Sequence, residues 1–177
     1  QIENISGDLV LVCVNDDSVI EVIEKIQKEK TIAYCSGSIN LNEINHLNCG
    51  VLYPLQTFSG SEQDLFKKFP LLIESKNEQT KDLLFGIGKK LSEKVIYINS
   101  EERKHIHLSA VFINNFSNHM VHIGQDYAKK NNHPTDVFND LIEETFNNLL
   151  NQSAYKAQTG PARRGDKKTI SLHHDLL

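Results

Sequence analysis

The 177-residue chain predicts an α/β protein: a mainly parallel sheet, then a helical segment. Three observations carry that reading. Asp8-Leu-Val-Leu-Val-Cys-Val14 is a continuous apolar, β-branched run, the pattern of a strand buried on both faces as in the middle of a parallel sheet. Short strand-like runs alternate with helix-like stretches at βαβ spacing. Beyond about residue 99 the 2-residue period disappears and only helical periods remain.

Element by element, Asn15-Asp16-Asp17-Ser18 breaks the first strand and offers N-caps for a helix with Val19, Ile20, Val22, Ile23 and Ile26 on its apolar side. Thr31–Tyr34 is the next strand, followed by the loop Cys35–Ser38. Asn40 and Glu43 have the spacing of a capping box for a short helix. Gly50–Tyr53 reads as a strand stopped by Pro54, Leu71–Glu74 as another, Gln79–Leu91 as a helix and Val95–Ile98 as a last strand.

From Ser100, a candidate cap, a helix is expected to about Asn131, on the order of 45 Å at 1.5 Å per residue. Its middle is apolar on nearly every side, through Ile106, Val111, Phe112, Ile113, Phe116, Met120, Val121, Ile123 and Tyr127. Such a helix needs cover all round, which a sheet alone does not give; a partner subunit would. Asp136 is read as the cap of a second helix with the stripe Val137, Phe138, Leu141, Ile142, Phe146, Leu149 and Leu150, and Asp166 as the cap of a last one. The expected organisation is thus 1–99 and 100–177.

Bulk properties narrow the function classes. Apolar content of 39% and charged content of 24% are those of a globular protein. A net charge of −4 with interspersed signs argues against a nucleic-acid binder. No apolar run approaches the ~18 residues of a membrane span, and Gln1–Asp8 does not read as a signal peptide. Three irregularly spaced cysteines without a CxxC pair fit neither a disulfide framework nor a zinc site, and favour a reducing, cytoplasmic setting. Cys13, inside the apolar run, reads as a small hydrophobe. His119 and His122 lie three apart with no carboxylate completing a triad, so no metal is expected.

Ligands of open α/β sheets bind outside the carboxyl ends of the strands. Three loops follow such ends here: Asn15-Asp16-Asp17, Cys35-Ser36-Gly37-Ser38 and Pro54-Leu55-Gln56-Thr57-Phe58. Gly37 would let a ligand approach the backbone, and Ser36 and Ser38 can donate hydrogen bonds. Singly each is turn chemistry; on one edge they favour a site. No G-x-G-x-x-G is present, and Gly86-Ile-Gly88 lies inside a helical pattern.

Five segments, in this order, resemble a known bacterial family: Asp8-Leu-Val-Leu-Val-Cys-Val-Asn-Asp-Asp17, Cys35-Ser-Gly-Ser38, Tyr53-Pro-Leu-Gln-Thr-Phe58, His107-Leu-Ser-Ala-Val-Phe-Ile-Asn-Asn115 and Thr159-Gly-Pro-Ala-Arg-Arg-Gly-Asp166. The family is Rossmann-like, of unassigned substrate, with members labelled NADP oxidoreductases, and is related to pyrroline-5-carboxylate reductase and deazaflavin-dependent NADP oxidoreductases. The resemblance implies a Rossmann-type domain followed by an all-α dimerisation domain, a homodimer, a small-molecule substrate and NADP (or NAD) as cofactor. It implies that a first βαβ unit with the glycine fingerprint precedes Gln1, so that this form would bind a dinucleotide poorly.

The same resemblance puts the nicotinamide beside Val14, Asn15, Asp16, Cys35, Ser36, Gly37, Pro54, Leu55, Gln56 and Thr57. It puts His107 and Asn115 in catalysis, as proton donor and substrate-orienting amide, and Thr159, Gly160, Pro161 and Arg164 on the substrate side. Tyr53 departs from the family, which usually has histidine there; tyrosine keeps a hydroxyl but does not titrate near neutrality. The rival reading is a non-catalytic NADP sensor or a dimeric scaffold.

Overall fold

The computed structural model describes residues 5–58 and 67–177; part of the Gln1–Asp8 segment lies outside them. The chain divides into two compact units, 1–116 and 117–177.

The first unit is built on a five-stranded sheet in the order β1-β2-β3-β4-β5. The strands are β1 Leu9–Val12, β2 Thr31–Tyr34, β3 Cys49–Pro54, β4 Lys67–Ser75 and β5 Ser92–Tyr97. All neighbours pair in parallel except β3 and β4, which are antiparallel with Leu52 opposite Ile73. Helices α1 Asp16–Glu24 and α2 Glu78–Leu91 connect β1 to β2 and β4 to β5. Helix α3, Ser100–Ala110, and a π-helical segment, Val111–Phe116, complete the unit.

The core has two parts. Val10, Val12, Val19, Ile23, Ile32, Tyr34 and Val51 fill one; Ala33, Leu52, Phe69, Leu71, Ile73 and Leu84 fill the other. Successive strand residues point to opposite faces, and Ile32 and Ala33 divide between the two parts. Helix α2 starts where the Asn77 side chain accepts from the Thr80 amide at 2.8 Å, with Lys89 and Lys90 favourably placed in its last turn.

Four local expectations are corrected. β1 lies at the edge of the described sheet, with Leu11 49% exposed, so its apolar run is not covered on both faces. The Asn40 side chain caps only a 3-10 turn, Leu41–Glu43, accepting from the Asn42 amide, so no α-helix forms there. Asn99, not Ser100, caps α3: its side chain accepts from the Glu102 amide, and Glu102 accepts from the Asn99 amide in return. Asp136 opens a 3-10 turn, Asp136–Phe138, and gives α5 no side-chain cap.

The second unit is helical: α4 Ser117–Lys130, α5 Asn139–Asn151, α6 Ala154–Ala157, α7 Gly160–Arg164 and α8 Lys167–Leu176. Asp166 caps α8 as expected, accepting from the Thr169 amide at 3.1 Å. Ala128 is the one buried hydrophobic residue of this unit. Met120, Leu141, Leu150 and Leu172 are all more than half exposed.

Candidate functional site

β1, β2 and β3 run in parallel, so the loops after Val12, Tyr34 and Pro54 leave the same edge of the sheet. Hydrogen bonds tie the first two together. The Ser38 hydroxyl donates to Asp16 Oδ2 at 2.5 Å. Ser36, itself buried, accepts from the amides of Ser38 and Ile39 at 3.1 and 3.2 Å, which fixes the turn around Gly37. Cys13 Sγ lies 3.6 Å from Cys35 Sγ. In the third loop Leu55 donates its amide to Pro70, and Gln56 Oε1 accepts from the Thr57 amide.

Helix α3 brings His107 to this edge. Its Nδ1 shares a 2.9 Å hydrogen bond with the Tyr53 hydroxyl, and the rings meet edge-on at 5.9 Å. The imidazole also packs closely against the second loop at Gly37. A Cβ added to Gly37 would sit 2.5 Å from His107 Cγ and Nδ1. Gly37 is not in the left-handed region, so glycine is required there for space rather than for backbone freedom. From the π-helical segment, the Asn114 amide donates to Thr57 Oγ1 at 2.8 Å. Asn115 is exposed beside it.

What holds α3 in place lies one turn before His107. Arg103 is fully buried and pairs with Glu74 of β4, while its second terminal nitrogen donates to the Ile39 carbonyl. Ser100, also buried, donates to both Glu74 carboxylate oxygens at 2.8 and 2.9 Å and accepts from the Leu41 amide. The Tyr34 hydroxyl donates to the same Ile39 carbonyl at 3.2 Å. Strand β4, helix α3 and the end of the second loop are therefore clamped by one buried polar network.

Of the residues expected at the site, Asp16, Ser36, Gly37, Thr57 and His107 share these direct contacts. Val14 and Asn15 lie exposed at the first loop, Cys35 opens the second, and Pro54, Leu55 and Gln56 form the third. Thr159, Gly160, Pro161 and Arg164 belong to the second unit, around the start of α7 and at its last residue. Sequence reasoning passed over Arg103 and read Glu74 only as a strand residue and Ser100 only as a helix cap. The available signal was Arg103 four residues before His107, hence on the same helix face.

Several groups here hold their protons unusually firmly. Burial, then the nearby Asp16 carboxylate, pushes the Tyr53 hydroxyl up, against a smaller opposing pull from Arg103. Burial likewise raises Tyr34. Cys35 is pushed up to about 12 by burial and by Cys13 beside it, and Cys49 to about 12 by burial. Between the ordinary cysteine value of ~8.5 and about 12, the folded protein keeps protons that the unfolded chain has lost. Stability must then fall as pH rises. Urea midpoints measured under reductant from pH 8 to 11 are expected to decline steadily, and less steeply in Tyr34→Phe; a flat profile would contradict the assignment.

Among the described residues no cluster of three His, Cys, Asp or Glu could hold a metal ion, and no helix is long and apolar enough to cross a membrane. No curated protein sequence matches the chain. Among solved structures, a "putative NADP oxidoreductase" from Bacteroides fragilis is 34% identical with a TM-score of 0.86, over 97% of this chain and 70% of that one. A protein from Thermotoga maritima is 19% identical with a TM-score of 0.79, at the same two coverages. A semialdehyde dehydrogenase NAD-binding protein from Cupriavidus necator, in complex with calcium and NAD, reaches a TM-score of 0.58 at 13% identity over 94% of this chain and 69% of that one. These likenesses establish the Rossmann-like α/β fold. Residues 69–177 match the family described as "Domain of unknown function (DUF2520)", and to that family this chain belongs.

Proposed function

We propose that the protein is an oxidoreductase transferring a hydride between a nicotinamide cofactor, NADP or NAD, and a small metabolite. The observation that carries this reading is the Tyr53–His107 pair, set against Gly37 where three loops leave parallel strands. The Bacteroides fragilis relative, described as an NADP oxidoreductase, supports it.

The fit of the residues is one-sided. Exposed residues at 14–16, half-buried Cys35 and the partly exposed stretch 54–57 are open to the flat nicotinamide end of a dinucleotide, while Ser36 and Gly37 lie buried behind them. The 177 residues contain no glycine fingerprint to hold its pyrophosphate. When bound, the cofactor supplies the hydride; the protein supplies position and a proton. The Tyr53–Nδ1 hydrogen bond occupies one ring nitrogen; in the tautomer where the Tyr53 hydroxyl donates, the proton sits on Nε2, the nitrogen left to donate to substrate. Asn115 is the candidate for orienting that substrate, and Thr159, Gly160, Pro161 and Arg164 are substrate-side candidates by resemblance.

A homodimer belongs to the same proposal. The second unit has 61 residues by its bounds, Ser117–Leu177, and buries a single hydrophobic residue, Ala128. Apolar surface left that open on α4 and α5 suits cover by a second copy.

The test uses a form of the protein that carries a glycine-fingerprint βαβ unit ahead of residue 1: NADPH is added, its fluorescence and the protein's melting temperature are followed, and sedimentation gives the oligomeric state. Enhanced fluorescence, a raised melting temperature, a dimer, and NADPH oxidation with at least one of a panel of imines, ketones and hydroxy acids are expected. A second reading is favoured by Tyr53, which stands where the family resemblance expects histidine. Binding without oxidation across the panel would favour a sensor, and no response at all a scaffold.

A further inference from the structure

Two cysteines meet at the edge of the sheet where the loops leave it. Val12 pairs with Tyr34 in the parallel β1–β2 register, so Cys13 and Cys35 are the next residues on each side. The Cys35 amide donates to the Val12 carbonyl at 3.3 Å, which carries the alignment one step past the strands. Adjacent strands are ~4.8 Å apart, inside the ~4.4–6.8 Å window over which Cα atoms of a disulfide are found. Both side chains point the same way, with Sγ atoms 3.6 Å apart. Both are free thiols in the structure, Cys13 exposed and Cys35 half-buried.

We propose that Cys13 and Cys35 form a reversible intramolecular disulfide, a modification whose chemistry needs no nicotinamide, although Cys35 also belongs to the proposed cofactor site. The oxidant is a small-molecule disulfide. Exposed Cys13 loses its proton and its sulfur attacks one sulfur of the oxidant; an S–S bond forms to Cys13 and the first thiolate leaves. Cys35 then loses its proton and attacks the Cys13 sulfur of the mixed disulfide. The protein S–S bond forms and a second thiolate leaves. Two protein thiols are oxidised, one oxidant disulfide is reduced to two thiols, and the two protons end on those thiols.

Burial and the neighbouring sulfur hold the Cys35 proton up to about 12, which assigns the first attack to Cys13 and makes the closing step slow. Proximity compensates, because the second attack is intramolecular. The exposure of Cys13 leaves the finished bond open to reductant, as for labile disulfides generally. Cys49, the third cysteine, is buried in the core at the other end of β3 and takes no part.

The test is to incubate the protein with oxidised glutathione overnight, denature it, label thiols with N-ethylmaleimide and take intact and peptide masses without reduction. The expected product is a monomeric chain lighter by two hydrogens, labelled once, at Cys49, with the Cys13 and Cys35 peptides joined. Dithiothreitol should restore three labels. Cys35→Ser should stop at a stable glutathione adduct on Cys13, and Cys49→Ser should still crosslink. Three labels after oxidation, a lasting adduct on Cys13 in the unaltered protein, a bond to Cys49 or a bond between chains would each overturn the proposal.

Discussion

Replacing Arg103 with methionine is expected to destabilise the first unit by about 3–5 kcal/mol, the usual cost of removing one partner from a buried ion pair. The side chain is 0% exposed, and its two terminal nitrogens serve two different elements, Glu74 on β4 and the Ile39 carbonyl after the second loop. Methionine matches much of its volume, so the loss reports charge and hydrogen bonding rather than a cavity. What remains is a buried Glu74 carboxylate whose remaining hydrogen-bond partner among the described residues is Ser100. The double variant Glu74→Met, Arg103→Met should regain much of the loss, because no uncompensated charge is left. Arg103→Lys should not, since an ammonium cannot span both partners as the planar fork does. Urea unfolding followed by far-UV circular dichroism measures all three. A loss below about 1 kcal/mol for Arg103→Met, the range of an exposed pair, would mean that this network is not what holds α3.

The clamp explains why a helix beyond the last strand belongs with the sheet. The sequence changes character near residue 99, and a boundary is expected there; yet α3 and the π-helical segment fall within the first compact unit. The reason is polar. Arg103 and Ser100 reach back to β4, and His107 then lands on the second loop. Periodicity registers apolar stripes, and an arginine buried against a strand glutamate contributes nothing to such a stripe.

The same contrast runs through the whole fold. Thr31–Tyr34 was legible at its true bounds, because its run is apolar and ends on a polar loop. The edge position of β1 was not, since an apolar run reads the same whether or not a neighbour covers it. Asn40-x-x-Glu43 has the letters of a capping box, but only the Asn42 amide turns toward the Asn40 side chain and the turn closes after three residues. In the site, the three loops and His107 were legible from strand ends and motif order. Their mutual contacts were not: Ser38 to Asp16, Tyr53 to His107 and Gly37 to the imidazole are set by strand register and helix docking, and neither is written in any local pattern.

In a form that carries the glycine-fingerprint unit, His107→Ala is expected to lower kcat by roughly 10²–10⁴-fold, the range for loss of a positioned general acid, while NADPH affinity is unchanged. The separation follows from the geometry: the ring touches Tyr53 and Gly37, and neither Asp16 nor Thr57 depends on it for its own hydrogen bond. Tyr53→Phe keeps the ring packing and loses one neutral hydrogen bond, so kcat should fall by only about tenfold, in line with the ~0.5–1.5 kcal/mol such a bond contributes. It should also free the imidazole tautomer, which ¹⁵N resonances of His107 would report even without turnover. Gly37→Ala tests the packing from the other side. A methyl 2.5 Å from Cγ and Nδ1 cannot be accommodated unless the ring moves, so this variant should lose turnover nearly as far as His107→Ala while remaining folded. Undiminished turnover in His107→Ala would take the imidazole out of the reaction and leave it as a packing residue on α3. Loss in His107→Ala with full activity in Gly37→Ala would show instead that the ring works from a position other than the one it holds against the loop.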